Sequence, residues 1–326
     1  MKNTIRYILL AVMMFVSASV FAASKKTIIC TTFPEYDWVL NILGNKAADF
    51  DLILLQNKGA DLHSYQPTVK DIARISSCDM FVYVGGESDE WVEKALKNAR
   101  NKNMIVINMM EVLGDAVREE EIVEGMQESD EHEHHHEGEE HHHEEEETEY
   151  DEHVWLSLKN AAVITQVLSE AVIKLDSKNA AAYKANTESY VSSLSALDGE
   201  FAKAVSQAKT KTLVFADRFP FRYLTDDYGL KYYAAFAGCS AESEASFETI
   251  IFLAKKIDEY ALNTVLTIEK SNKKIAKTVV SNTKTKNQQI LEMDSLQSVT
   301  QKEIKDGKTY LNTMRQNLAV LKTALN

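Results

Sequence analysis

Eight short, almost continuously apolar runs punctuate this chain in two series of four, with helical patterns between them. The first series covers residues 27–32, 51–55, 80–84 and 104–108; the second covers 212–215, 232–236, 264–268 and 289–293. A strand that is apolar throughout needs cover on both faces, which is the condition of a parallel sheet with helices packed on either side. Helical patterns around 36–43, 68–76 and 90–98 separate the first four runs, and 219–227, 247–259 and 273–282 separate the second four. Such strand–helix–strand units wind parallel strands through right-handed crossovers. The expected fold is therefore α/β, with two Rossmann-like lobes, each a four-stranded parallel sheet flanked by helices. Neither lobe carries a Gly-x-Gly-x-x-Gly turn or a P-loop, so nucleotide binding has no support in the sequence.

What joins the lobes is also legible. Residues 161–175 form one amphipathic helix, and residues 178–208 then run without a proline. Tyr183, Tyr190, Leu194, Leu197, Phe201 and Val205 fall on one helical stripe of this segment. At 1.5 Å per residue it would be about 46 Å long, enough to span both lobes as a rigid linker. The C-terminal segment places Leu311, Met314, Leu318, Leu321 and Leu325 on one core-facing side. A length of 326 residues suits this two-domain reading. The expected division is an N-terminal lobe at 23–177, the linker helix at 178–208 and a C-terminal lobe at 209–326.

Residues 1–22 stand apart from both lobes. Lys2 and Arg6 precede an apolar stretch from Ile8 to Val16, small residues follow, and Val20-Phe21-Ala22 fits a cleavage site. This is the pattern of a secretory signal peptide, and the apolar stretch is short for a bilayer span. No cysteine lies near the expected cleavage point, so the reading is an exported, periplasmic protein without a lipid anchor. The three cysteines, Cys30, Cys78 and Cys239, do not make a disulfide framework. Cys30 and Cys78 sit in apolar strands and read as small buried hydrophobes. Cys239, in a Gly-Cys-Ser loop, has no obvious structural place.

The net charge of −13 argues against nucleic acid as a partner. It is concentrated: 18 of the 49 acidic residues fall between Arg118 and Glu152, and the rest of the chain is slightly basic. Seven of the nine histidines lie in the same stretch: His132, His134, His135, His136, His141, His142 and His143. Beyond Met126 this insert has almost no apolar residues, so 117–150 is expected to be a disordered loop. Its histidine clusters form an accessory metal-binding composition with several weak, interchangeable sites.

Outside the insert only His63 and His153 remain. Parallel α/β sheets bind ligands beyond the carboxyl ends of their strands. His63 follows the second apolar run, His153 the fourth run and the insert, Asp217 the fifth run and Glu269 the seventh. Two imidazoles with one or two carboxylates suit zinc, with manganese as a harder alternative. Glu242 and Glu244 are weaker candidates in the same region. No HExxH pairs ligands with a base, which weakens the alternative of a metal-dependent hydrolase. A passive metal buffer or adhesin-like surface protein, in which the insert would matter more than the cleft, is the other alternative.

These residues together resemble the substrate-binding proteins of zinc and manganese ABC transporters. His63-Ser64-Tyr65-Gln66-Pro67-Thr68 is similar to that family's first histidine motif, and Asp151-Glu152-His153-Val154-Trp155-Leu156-Ser157 to its second. The histidine-rich insert before the second motif resembles the zinc-type branch. The resemblance implies two lobes clamping one divalent cation, most often zinc. It also implies little closure and delivery of the metal to a membrane permease, with no catalysis. In one place the chain departs from the pattern. The family's third histidine is expected in the run Phe215-Ala216-Asp217-Arg218-Phe219, where this chain has Ala216. The implied ligands are then His63, His153 and Glu269, completed by Asp217 or by water.

Overall fold

The structure, a computed structural model, describes residues 25–127, 149–240 and 244–326. The expected signal peptide, the seven insert histidines and Glu242 lie outside the described residues.

Two four-stranded parallel sheets form. In the first, β1 (Lys26–Cys30), β2 (Phe50–Leu54), β3 (Met80–Tyr83) and β4 (Ile105–Asn108) lie in the order β2-β1-β3-β4. In the second, β5 (Thr212–Phe219), β6 (Lys231–Ala237), β7 (Thr264–Ile268) and β8 (Gln289–Met293) lie in the order β6-β5-β7-β8. The two orders are the same, so each lobe repeats the other's plan. The central strands are buried on both faces, as their unbroken apolar runs require; β7 is buried at all five positions.

Among the described residues, eleven helices flank these sheets. In the first lobe they are α1 (Phe33–Leu43), α2 (Val69–Ile75), α3 (Trp91–Lys97), α4 (Met109–Leu113) and α5 (Leu158–Leu175). After the connecting α6 (Ala180–Ser206), the second lobe adds α7 (Arg222–Tyr228), α8 (Phe247–Glu259), α9 (Lys274–Asn282), α10 (Gln301–Lys305) and α11 (Tyr310–Ala324). The linker is a little shorter than the pattern predicts. A 3-10 turn at Ser177–Asn179 precedes it, and its 27 residues extend about 40 Å. Its buried stripe is the one read from the sequence, with Thr187 added.

Two expectations need correction. First, β5 does not end at Phe215 but continues to Phe219, so Asp217 lies within the strand and not after it. Backbone pairing of Arg218 and Phe219 with β6 carries the strand on, across a register shift between Phe215 and Arg218. The polar pair that seemed to end the strand instead faces the space between the lobes. Second, the insert's flanks are ordered. Glu119 bridges Tyr150, Glu120 N donates to Glu149 O at 2.9 Å, and Gln127 pairs in parallel with Phe236 on the edge of β6. An unsatisfied strand edge accepts such pairing even from a segment with few apolar residues. Residues 117–127 and 149–150 are therefore built against the second lobe, and only 128–148 lie outside the described residues.

The lobes also share one core. A single apolar cluster runs from Trp38, Val39 and Ile42 of α1 through Trp155 to Leu296, Tyr310 and Met314 of the second lobe. Polar contacts pin this seam. Trp155 Nε1 donates to Ser295 O at 2.8 Å, and the Tyr310 hydroxyl donates to Trp155 O at 2.6 Å. Asp37 accepts from Tyr310 N and from the Tyr190 hydroxyl, each at 3.2 Å. Stiffness between the lobes thus comes from a packed seam as well as from the linker helix, since close-packed interiors resist deformation.

Candidate metal centre

His63 sits in a 3-10 turn, Leu62–Ser64, beyond the carboxyl end of β2. Asp61 caps that turn, its carboxylate accepting from His63 N at 3.1 Å. His153 begins a second 3-10 turn, Val154–Leu156, whose three apolar residues are buried in the shared core. Asp151 holds it from below, accepting from His153 N at 2.8 Å and facing its Nδ1 at 2.9 Å. The two motifs thus fold as anchored turns that bring their imidazoles together at the cleft.

There the Nε2 atoms of His63 and His153 stand 3.3 Å apart. What lies behind each ring fixes its chemistry. The Asp151 carboxylate only accepts, so the proton of His153 is on Nδ1. His63 Nδ1 faces Ser88 Oγ at 2.9 Å and Glu152 Oε2 at 3.4 Å. That Glu152 oxygen is buried and has no other hydrogen-bond donor, so an Nδ1–H on His63 is what it needs. His63 Nε2 then presents a lone pair, while His153 Nε2 faces both that nitrogen and the Gln297 Oε1 acceptor, the latter at 3.1 Å. A proton on His153 or a metal ion between the two rings satisfies this arrangement. Tetrahedral zinc, with Zn–N bonds of 2.0–2.1 Å, holds two imidazole nitrogens about 3.3 Å apart. A histidine whose outer nitrogen is held by a carboxylate is the common arrangement around a bound metal.

The electrostatics fit a cation. Burial drives His63 down to about 3, with His153 and Arg218 pushing the same way and Asp61 opposing. Burial works against charge on His153 as well, but Asp151, Gln297 and Glu152 outweigh it and hold the value above the ordinary range. Two imidazoles this close cannot both be charged, so any proton the pair holds belongs to His153. Burial also pushes Glu152 up to about 7, against the donors of Ser88. A divalent ion in the cleft would reverse that last shift.

The cleft itself has a volume of about 480 Å³ and is lined by both lobes: Asp61 and His63 on one side, Ala216, Asp217, Arg218 and Glu269 on the other. Glu269 follows β7 as expected and is nearly buried. Its carboxylate accepts from Ser295 N at 2.8 Å, Ser295 Oγ at 2.7 Å and Ser298 Oγ at 3.1 Å. Asp217 Oδ1 accepts from the backbone N of Arg218 at 3.0 Å. Arg218 itself turns away from Asp217 and reaches Asp61 across the cleft at 2.6 Å. Glu244 is exposed and pairs with Lys274 at 3.3 Å.

Among the described residues, one group of potential ligands converges: a ring nitrogen of His63, a ring nitrogen of His153 and Sγ of Cys239, all within 4.8 Å of one another. Glu269 and Asp217 line the same cleft outside that grouping. The sequence reading considered only histidines and carboxylates at strand ends and so passed over Cys239. A signal was available. β6 holds the place in its sheet that β2 holds in the other, and Cys239 follows β6 as His63 follows β2.

Residues 28–324 match the model of a family described as zinc-uptake complex component A, periplasmic. The chain belongs to that family. It is 30% identical over 301 residues to the high-affinity zinc uptake system protein ZnuA of Bacillus subtilis, covering 92% of this chain and 88% of that protein. It is 28% identical over 315 residues to the zinc-binding protein AdcA of Streptococcus pyogenes, covering 93% of this chain. The chain spans about half of that longer streptococcal protein, 56% of its length. Among solved structures, the Zn(II)-bound ZnuA-like domain of Streptococcus pneumoniae AdcA superposes with a TM-score of 0.70 at 25% identity, covering 93% of this chain and 99% of that one.

Proposed function

We propose that this protein is an extracytoplasmic zinc receptor that holds one ion in the interlobe cleft and delivers it to an ABC-transporter permease. The observation that carries the reading is the pair of Nε2 atoms 3.3 Å apart, each ring backed by a hydrogen-bond acceptor. The family's role in zinc uptake and the zinc-binding names of its relatives agree with it. His63 and His153 are the core ligands, and Glu269 is the carboxylate best placed to join them from the second lobe. Asp217 is a lesser candidate, because the irregular register of β5 turns its carboxylate to a backbone amide. Zinc is favoured over manganese because nitrogen donors dominate the pair. We take the protein to act as a periplasmic monomer and a receptor, not an enzyme. No helix of the described residues is long and apolar enough to cross a membrane. The insert histidines serve as a collecting loop outside the cleft.

The test is zinc titration of the full chain and of a form lacking residues 128–148. The shortened protein retains one tight equivalent, and replacing His63 and His153 together with Ala removes it. A shortened protein that loses nearly all zinc would instead make the insert the principal binder, which is the behaviour of a metal buffer. Turnover of an ester, amide or phosphoester by the zinc-loaded protein would reverse the receptor assignment.

A further inference from the structure

We propose that Cys239 is a third protein ligand of the cleft metal, supplying as a thiolate the donor that the sequence lacks at Ala216. This deepens the zinc-receptor reading and rests on it. Its ground is the convergence of Cys239 Sγ with ring nitrogens of His63 and His153 inside 4.8 Å. Tetrahedral zinc, with Zn–S near 2.3 Å and Zn–N near 2.05 Å, holds sulfur and nitrogen about 3.6 Å apart. The grouping is therefore at most about 1 Å wider than a filled centre.

The loop that carries Cys239 is shaped around the imidazole. A Cβ on Gly238 would stand 3.1 Å from His153 Cε1 and 2.9 Å from Phe219 O, so a glycine lets the chain pass close against the ring. Cys239 N donates to Glu120 Oε1 at 3.2 Å, which ties the loop to the ordered flank of the insert. Ala216, by contrast, packs with Val214, Ala235 and Leu253 in the second lobe's core and offers no donor. The other two thiols, Cys30 and Cys78, are buried in the first lobe and do not compete.

Burial, with the charges of Glu120, Asp151 and Glu152, holds the Cys239 thiol well above its ordinary range. Without metal it stays protonated and poorly nucleophilic. The same carboxylates attract a divalent cation, and a coordinating thiol is deprotonated by the ion it binds. In that step the S–H bond breaks heterolytically, its electron pair forms the S–metal bond and the proton passes to solvent. Nothing is oxidised. A soft sulfur donor favours zinc over manganese, which restores the discrimination that Ala216 would otherwise forfeit.

Cobalt(II) loaded into the full-length protein tests the assignment, because the insert offers imidazoles and carboxylates but no thiol. The wild type shows a near-ultraviolet sulfur-to-cobalt charge-transfer band at one equivalent, and Cys239→Ser abolishes it. In the same variant zinc affinity falls more than manganese affinity. Zinc at one equivalent also slows alkylation of Cys239 by iodoacetamide in the wild type, a readout that needs no variant to fold. Stoichiometric cobalt binding without the band, or a band that persists in Cys239→Ser, overturns the proposal while leaving the two-histidine receptor intact. Tight zinc binding that survives removal of both His63 and His153 overturns the receptor reading itself, and the cysteine with it.

Discussion

The two halves of the cleft are built differently. On the first lobe, each imidazole keeps one nitrogen for an acceptor behind it and turns the other outward: Asp151 backs His153, and Ser88 with Glu152 backs His63. On the second lobe the oxygens of Glu269 are already engaged by a backbone amide and two serine hydroxyls. Donors of that kind stabilise a carboxylate whether or not a metal is present, whereas the facing imidazole nitrogens need a proton or a metal ion between them. The first lobe therefore holds two imidazoles open to an ion, and Glu269 of the second is satisfied without one. A metal arriving from solvent should meet the imidazoles first.

That order of importance can be broken by mutation. The largest effect is expected from His63→Ala with His153→Ala, which removes cleft binding altogether in protein lacking residues 128–148; metal analysis after dialysis reads it. Next comes Asp151→Asn. It leaves the ring in place but removes the carboxylate that fixes its tautomer, and such partners typically contribute about 10–100-fold in metal affinity. Competition against a chelator of known affinity measures the loss, and an unchanged affinity would mean that the backing carboxylate is merely structural. Glu269→Gln should cost less, about tenfold, near the low end of that range. If it instead lowers the melting temperature of metal-free protein and spares zinc affinity, the second lobe contributes only a wall.

Ala216→His sharpens the comparison from the opposite direction. Ala216 lines the cleft but is almost wholly buried, and adding a ring to a packed site costs about 1–3 kcal/mol. Zinc affinity should rise a few-fold, more than manganese affinity, in paired titrations. If both stay unchanged, the position does not face the metal.

The smallest effect lies at the seam between the lobes. Burial pushes Asp37 up to about 6 from an ordinary 3.8, against the donors Tyr310 and Tyr190. Its folded form holds a proton that the unfolded chain has released, so this residue's contribution is full below about pH 4 and is lost as pH rises toward about 6. Asp37→Asn removes that slope. Melting temperatures of metal-free wild type and variant at pH 4.5 and 6.5 should show the wild type losing more on going up in pH. Equal slopes would mean that the carboxyl titrates alike in both states.

Much of this architecture was legible because buried parallel strands must be apolar throughout. β7 and β8 occur at the residues where their runs begin and end, His63 and Glu269 follow strands and line one cleft, and His153 meets His63 from a turn after the insert. The misses share a physical cause, which is that they depend on partners distant in the chain. β5 continues past its apolar run because β6 pairs with Arg218 and Phe219. Trp155 and Tyr310 meet in the shared core across 155 residues of chain. Cys239 reaches the imidazoles only because the second sheet repeats the first and the lobes face each other. Local pattern reports what a segment must bury, and says little about which segment it will meet.

A receptor must also let go, and here the pair Arg218–Asp61 has a consequence. It spans the cleft mouth at 2.6 Å with both side chains about one-fifth exposed, and the same Asp61 caps the turn that carries His63. A partly exposed ion pair contributes about 0–1 kcal/mol and weakens as salt screens it. That is too little to set how tightly zinc is held, yet 1 kcal/mol is roughly fivefold in a rate. The pair is thus suited to setting residence time. Zinc release into excess chelator should quicken as ionic strength rises, and Arg218→Gln should make it fast and indifferent to salt.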